Sequence, residues 1–243
     1  MLIYGINPVL EALRAGRVEA VRVSRRADAR LSAVLDAARH AGVAVKHVDP
    51  SELDRASRGG VHQGVVALVA ERASVGAEEL VTSAAGVPLI VVLDGVEDPH
   101  NVGAILRTVD AAGASGIVRQ QRHAAPLGGA AAKASAGAVS HVKIADVVNI
   151  ARALEALKSA GVWTVGLAGD AATRYDQMDY TLPTALVVGA EGSGLRRLVR
   201  ERCDWLVSIP MGGHVQSLNV SVATGVVLFE AVRQRLNRRA AGT

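Results

Sequence analysis

Residues 89–113 read LIVVLDGVEDPHNVGAILRTVDAAG. The run Leu89 to Leu93 has no polar alternation, so the strand it predicts is buried on both faces, as in a parallel sheet sandwiched by helices. A turn follows at Pro99. The spacing of Val102, Ile105, Leu106 and Val109 then predicts a helix opening at Val102 with Asn101 as its cap. A strand feeding directly into a helix is the repeating unit of an α/β fold.

The same alternation extends outward from this stretch. β-Branched runs predict strands at Ala20–Val23, Val43–Val48, Val65–Val69, Val162–Leu167, Ala185–Val188 and Leu206–Ile209. Apolar spacing predicts helices over Asn7–Arg14, Leu31–His40, Val102–Ala112, Ile150–Ala160, Leu195–Arg202 and Val220–Asn237. The small-residue, acidic stretch Glu71 to Gly86, with room for a short helix, reads as a seam. It divides the chain into a small α/β module (1–70), a linker (71–86) and a longer α/β domain (87–243). A second soft region, Leu127 to Val139, reads either as a small-residue helix or loop or as a mobile segment over a ligand.

Composition limits the function classes. The chain has 243 residues and 1 Cys, which rules out a disulfide framework and the thiolate-rich zinc patterns. No apolar run approaches the roughly 18 residues of a membrane span, and the N-terminal sequence has no basic leader before an apolar core, so the expectation is a soluble, cytoplasmic protein. The net charge is +4 and the sequence pI about 9.6. Of the 27 basic residues only Lys46, Lys133, Lys143 and Lys158 are lysines; this arginine bias suits bidentate phosphate contacts and equally a GC-rich coding sequence. Aromatic residues make up 2% of the chain, too few for a base-stacking platform, so a nucleic-acid partner would be held by backbone and shape.

Two further clusters follow strands in the longer domain. In ALVVGAEGSGLRRL, Ala185 to Leu198, a buried strand runs into Gly189, Glu191 lies between glycines, and Ser193 is a plausible helix cap. In SIPMGGHVQSLNVSVATGVVLFEAVRQRL, Ser208 to Leu236, a glycine loop follows the strand. Ser217 and Asn219 then start a helix whose apolar stripe, Val222, Val226 and Phe229, reads as its core face. The basic residues Arg233, Arg235, Arg238 and Arg239 complement the dipole at that helix's end. From Gly192 the series G-S-G-L-R-R lacks the third glycine of the dinucleotide fingerprint, and no G-x-x-x-x-G-K-[ST] loop occurs. No metal is expected, because the histidines lack zinc-ligand spacing. There is no G-x-S-x-G elbow, and Cys203 reads as a buried structural thiol.

Taken together, DP-x-N-x-G-A-x-x-R, G-A-E-G-x-G and I-P-M-x-G-x-V-x-S-L-N-V-S-x-A resemble the three signature motifs of the SpoU (TrmH-type) RNA ribose 2′-O-methyltransferases. Tyr4-Gly5-Ile6-Asn7-Pro8-Val9 and His62-Gln63-Gly64 resemble the substrate-binding domain that precedes the catalytic domain in that family. The likeness runs from Leu2 to about Arg235 and is strongest to members acting on a guanosine in the peptidyl-transferase loop of 23S ribosomal RNA.

This resemblance implies a SPOUT-type parallel α/β sheet with a C-terminal deep trefoil knot, an exception to the unknotted rule, preceded by a small L30e-like α/β domain. It implies S-adenosylmethionine as cofactor, RNA as partner and a homodimer. Gly189, Ile209 and Leu218, with Gly192 and Met211 beside them, would surround the cofactor. Arg107 would contact the target phosphate and ribose as an electrostatic positioning group, since a guanidinium is too basic to act as a free base. Asn101, Ser217 and Asn219 would orient the ribose and loop, and Glu191 would hold the site's loops. In the family, K-x-S-x-G-A is commonly followed by Glu; here Lys133, Ser135, Gly137 and Ala138 lead to Val139 and Ser140. The motifs leave open the same chemistry on transfer RNA or another ribosomal loop. The alternative of another class is a catalytically silent RNA-binding or ribosome-assembly factor.

Overall fold

In the computed structural model, which describes residues 1–25, 29–70, 75–122 and 124–241, the strands form two sheets. The chain packs as two compact units. One contains Met1–Ala73 together with Val102–Arg107 and Ala125–His141; the other contains Ser74–Asn101, Thr108–Ala124 and Val142–Thr243.

In the first unit the chain order is β1 (Leu2–Tyr4), α1 (Ile6–Arg14), β2 (Val18–Ser24), α2 (Ser32–His40), β3 (Ala44–Val48), α3 (Pro50–Ser57) and β4 (Val65–Val69). The sheet order is β1-β4-β2-β3, with β4 antiparallel to β1 and β2, and β3 parallel to β2. Burial of Val9 and Leu13 on α1 and of Val34 and Ala38 on α2 supplies its apolar interior. Leu53 of α3 joins Tyr4, Val48 and Val66 in a separate cluster. The YGINPV and HQG stretches form a clip within this unit. The Ile6 backbone N–H donates to Gln63 Oε1 at 3.0 Å, and Gly64 N–H donates to His62 Nδ1 at 3.0 Å. With Nδ1 accepting, the ring proton lies on Nε2 and points to Asp54 Oδ1 at 3.1 Å.

The second unit begins with α4 (Ala77–Thr82), β5 (Leu89–Asp94), α5 (Pro99–Ala111) and β6 (Gly116–Gln120). After α6 (Gly129–Ala134), which belongs to the first unit, it resumes with β7 (Ile144–Val147), α7 (Ile150–Ser159), β8 (Trp163–Leu167) and β9 (Thr173–Arg174). It ends with β10 (Thr184–Gly189), α8 (Arg197–Arg202), β11 (Trp205–Ser208) and α9 (Val220–Ala241). Its seven strands are ordered β7-β6-β5-β10-β8-β11-β9, every pair parallel. All six residues of β5 are buried, as its unbroken apolar run requires. Ile90, Val92, Val118, Ala185 and Val187 pack with Leu80, Ile150, Leu154 and Leu157 in one core.

Several boundaries differ from expectation for identifiable reasons. Helix α5 opens at Pro99, earlier than Val102, because the Asp98 carboxylate accepts from the His100 and Asn101 N–H groups. Asn101 is therefore inside the first turn rather than the cap. Helix α8 starts at Arg197 and has no side-chain cap, so Ser193 does not cap it. Arg196 is its N-cap residue, and the Arg196 N–H donates to Asp94 Oδ2 at 2.8 Å. Strands β1, β6, β7 and β9 escaped the sequence reading. In β6 the polar Arg119 obscured the pattern; it lies opposite Asp146 of β7 and pairs with it at 2.7 Å. The start of the seam, residues 71–74, lies outside the described residues, and α4 occupies part of the remainder.

The face of α9 also differs. Its buried residues are Val220, Ala223, Thr224, Val227, Leu228 and Ala231, whereas Val222 is 51% exposed and Phe229 48%. Val227 and Leu228 supply its largest inward apolar side chains, Val226 is partly buried, and Val222 and Phe229 face outward. Arg235 is not a terminal dipole partner, since the helix runs to Ala241. Its guanidinium donates to the carbonyls of Tyr180, Val87, Pro88 and Leu182 at 2.6–3.0 Å. Cys203 donates to Val199 O, and burial pushes its thiol up to about 12, in keeping with a structural thiol. In the first unit Ser140 is buried, and its neighbour His141 pairs with Glu11 at 3.0 Å.

Candidate active site

Sheet order creates the site. From β5 the chain moves to β6 and β7 on one side, while β10, β8 and β11 lie on the other. Loops after β5 and β10 therefore diverge, and the crevice at such a reversal is where parallel sheets take ligands.

Two clefts open there within the second unit. The first, about 500 Å³, lies over the ends of β8, β10 and β11 and falls within the usual size of a small-molecule site. Gly189, Gly192, Ile209, Met211 and Leu218 all line it, as do Glu191, Ser217 and Asn219. The second, about 530 Å³, lies over β5 and β10 and is lined by Asp94, Glu97, Asp98, Asn101, Gln120 and Arg196, among others. Ala190, Glu191, Ser193, Gly194 and Val220 border both clefts.

The shared wall is a tight turn. Gly194 N–H donates to Ala190 O at 2.9 Å, and Gly192 and Gly194 adopt φ of 78° and 66°, a region that glycine enters freely. Gly189 is required for a different reason: a Cβ there would lie 2.1 Å from the Gly194 carbonyl carbon. Asp94, fully buried at the end of β5, ties the turn down. It accepts from the Arg196 guanidinium at 2.6 and 2.5 Å as well as from the Arg196 backbone.

Asn219 joins the clusters. Its Nδ2 donates to Asn101 Oδ1 at 2.9 Å and to Glu191 Oε1 at 2.6 Å. Its Oδ1 accepts from Ser221 N–H at 2.9 Å and caps α9, and this backbone donor fixes which end of the amide is oxygen. Three residues separated widely in sequence are thus joined by one side chain. Ser217 lies on the exposed loop before α9, at the rim of the first cleft. Arg107 lines neither cleft and is not part of this junction. It is exposed on α5 six residues beyond Asn101, without a hydrogen bond or ion pair among the described residues.

The sequence reading missed the Asp94–Arg196 pair and residues 168–170 after β8, which line the first cleft. In that loop Asp170 holds Arg200 through bonds of 2.9 and 3.0 Å. The Ala168-Gly169-Asp170 turn after a strand was the available signal. With Arg200 so engaged, the first cleft offers glycine backbone and apolar side chains rather than a phosphate cradle. Among the described residues no group of three His, Cys, Asp or Glu is arranged to hold a metal ion.

Fold and site define an α/β protein with a cleft of small-molecule size at the strand ends and a polar cleft beside it. Comparison with known proteins specifies it further. Residues 88–229 match the SpoU rRNA methylase family, and residues 2–74 match the RNA 2′-O ribose methyltransferase substrate-binding family. The chain is 48% identical to a 23S rRNA (guanosine-2′-O-)-methyltransferase RlmB from Burkholderia sp, with 98% of each chain covered. It is 46% identical to the protein of the same name from Pseudomonas syringae pv. tomato, covering 98% of this chain and 97% of that one. Its fold is similar to the SpoU methyltransferase AviRb from Streptomyces viridochromogenes in complex with AdoMet, with a TM-score of 0.82, 28% identity, and 98% and 91% coverage. The chain belongs to the SpoU rRNA methylase family.

Proposed function

We propose that this protein transfers a methyl group from S-adenosylmethionine to the ribose 2′-hydroxyl of a guanosine in 23S ribosomal RNA. The observation that carries the proposal is the Asn101–Asn219–Glu191 junction at the border of two adjacent clefts, one suited to a cofactor and the other open to a substrate. The near-full-length likeness to proteins named for this reaction supports the RNA and the nucleoside.

The first cleft fits S-adenosylmethionine on chemical grounds. This cofactor has no phosphate, and the cleft has glycine backbone, apolar side chains and carboxylates but no free cation cradle. Gly189, Gly192, Ile209, Met211 and Leu218 would hold it. Bound there, it supplies an electrophilic methyl group on a sulfonium sulfur. The protein's task is then alignment and proton removal. Asn219, immobilised through both ends of its amide, orients Asn101 and Glu191 at the border the ribose must approach. Ser217 is a hydroxyl partner at the cleft rim. Arg107, exposed and unpaired, is the substrate-side cation, holding the target phosphate and lowering the cost of developing oxyanion charge.

The remaining organisation belongs to the same proposal. Residues 1–70 form an L30e-like RNA-binding domain, 71–86 a linker and 87–243 the catalytic domain with a trefoil knot. The enzyme is a cytoplasmic homodimer, working where ribosomes are assembled. Support for the dimer is the outward apolar line Val222, Phe229 and Leu236, exposed by 51, 48 and 56% at seven-residue spacing on α9.

The test is calorimetry with S-adenosylmethionine, followed by mapping of 2′-O-methyl positions in 23S RNA from cells with and without the gene. The expected result is saturable binding and one guanosine methyl that disappears with the gene. Absence of cofactor binding would point to a silent RNA-binding factor, and a missing methyl in transfer RNA would move the activity to that substrate.

A further inference from the structure

We propose that the second cleft recognises the guanine base itself, with Arg196 reading the O6/N7 edge and Glu97 reading the N1–H/N2–H₂ edge. The inference rests on the methyltransferase reading above. Ribose and base are one nucleoside, so a hydroxyl presented at the shared wall of residues 190–194 brings its base into an adjoining space. The first cleft is allotted to the cofactor; the second remains.

The lining favours a base over a phosphate. Four carboxylates, Asp94, Glu97, Asp98 and Glu191, border the second cleft, and among the described residues Arg196 is its only cationic side chain. That balance repels an anion. Most of the carboxylates are already engaged: Asp94 by Arg196, Asp98 by the first N–H groups of α5, and Glu191 by Asn219. Glu97 is exposed and has no hydrogen bond or ion pair among the described residues. It is the free acceptor.

Arg196 is the prepared donor. Its Nε and one terminal nitrogen are fixed on the buried Asp94, which sets the guanidinium plane, while about half of the side chain is exposed. Its remaining N–H groups have no partner among the described residues. Guanidinium to O6/N7 is the commonest specific guanine contact, and flipped or unpaired bases are commonly read on the Watson–Crick edge. A donor facing O6 and a carboxylate facing N1–H and N2–H₂ together select guanine. Adenine would present its N6 donor to Arg196 and lacks the N1 proton for Glu97. In this arrangement Asp94 is a positioning residue acting through Arg196.

Single-atom RNA analogues test the proposal with the full-length enzyme. Inosine at the target removes the N2 amine, and 7-deazaguanosine removes the N7 acceptor. Each is expected to lower kcat/KM for the unmodified enzyme by about tenfold or more, the scale of losing a charge-assisted hydrogen bond. In Glu97→Ala the inosine penalty should vanish while the 7-deazaguanosine penalty persists; in Arg196→Lys the pattern should reverse. S-Adenosylmethionine affinity should be unchanged in Glu97→Ala, whose exposed side chain has no folding role. Equal methylation of guanosine, inosine and 7-deazaguanosine RNA by the unmodified enzyme would overturn the base assignment, as would penalties that persist unchanged in both variants. No transfer to guanosine RNA despite cofactor binding would overturn the methyltransferase reading, and the base assignment with it.

Discussion

Asn219 shows how much a single side chain does here. Its amide nitrogen links Asn101 and Glu191, and its oxygen caps α9. Asn219→Asp keeps the cap but sets a carboxylate against Glu191; methyl transfer should fall by at least about tenfold with little change in unfolding free energy. Asn219→Ala loses both functions and should also cost about 1 kcal/mol of stability by urea unfolding. Asp204 carries a pH prediction. Burial raises its pKa, but bonds from Lys158 and Thr164 outweigh that and hold the carboxyl below its ordinary range. A depressed folded-state pKa stabilises above the unfolded value and is lost as pH falls through the folded one. Asp204→Asn should therefore be less stable than the parent at neutral pH, with the gap closing below about pH 4 in urea titrations. Glu191 and Asn219 were legible in sequence because they lie in glycine- and polar-rich turns after apolar strands. Arg196 was not. Its partner Asp94 is 102 residues away, and only the β5–β10 pairing brings them together.

At the scale of elements, six of the helices and the strands built on β-branched runs were readable, whereas β1, β6, β7, β9 and α3 were not. β5 and β10 emerge from unbroken apolar runs, whereas the charges of β6 make sense only once Asp146 is known to lie opposite Arg119. On α9 the stripe Val222, Val226 and Phe229 is one of two apolar lines at helical spacing, and it is the other, through Val220, Ala223, Val227 and Leu228, that packs inward. The turn after β10 makes the sharpest demand. In Gly189→Ala the new methyl would meet backbone at 2.1–2.4 Å, which no rotamer change relieves. The turn must move, and S-adenosylmethionine affinity by calorimetry should fall by at least about tenfold, while far-ultraviolet circular dichroism stays unchanged.

At the scale of the molecule, the sequence conveyed the α/β class, but not that residues 125–141 pack in one unit with the N-terminal residues. Spatial membership of that stretch depends on contacts such as His141 with Glu11, 130 residues apart, which no local pattern encodes. The outward line on α9 yields a prediction about assembly. Phe229→Glu should convert the proposed dimer to monomer in light scattering without unfolding it, because the substituted side chain is already half exposed.

The turn formed by residues 190–194 is a common partition between two chambers. Occupants on its opposite sides cannot be thermodynamic strangers: any stiffening that one imposes is a cost the other no longer bears. For the two proposed occupants linkage makes this mutual: any factor by which RNA changes the hold on S-adenosylmethionine equals the factor by which S-adenosylmethionine changes the hold on RNA.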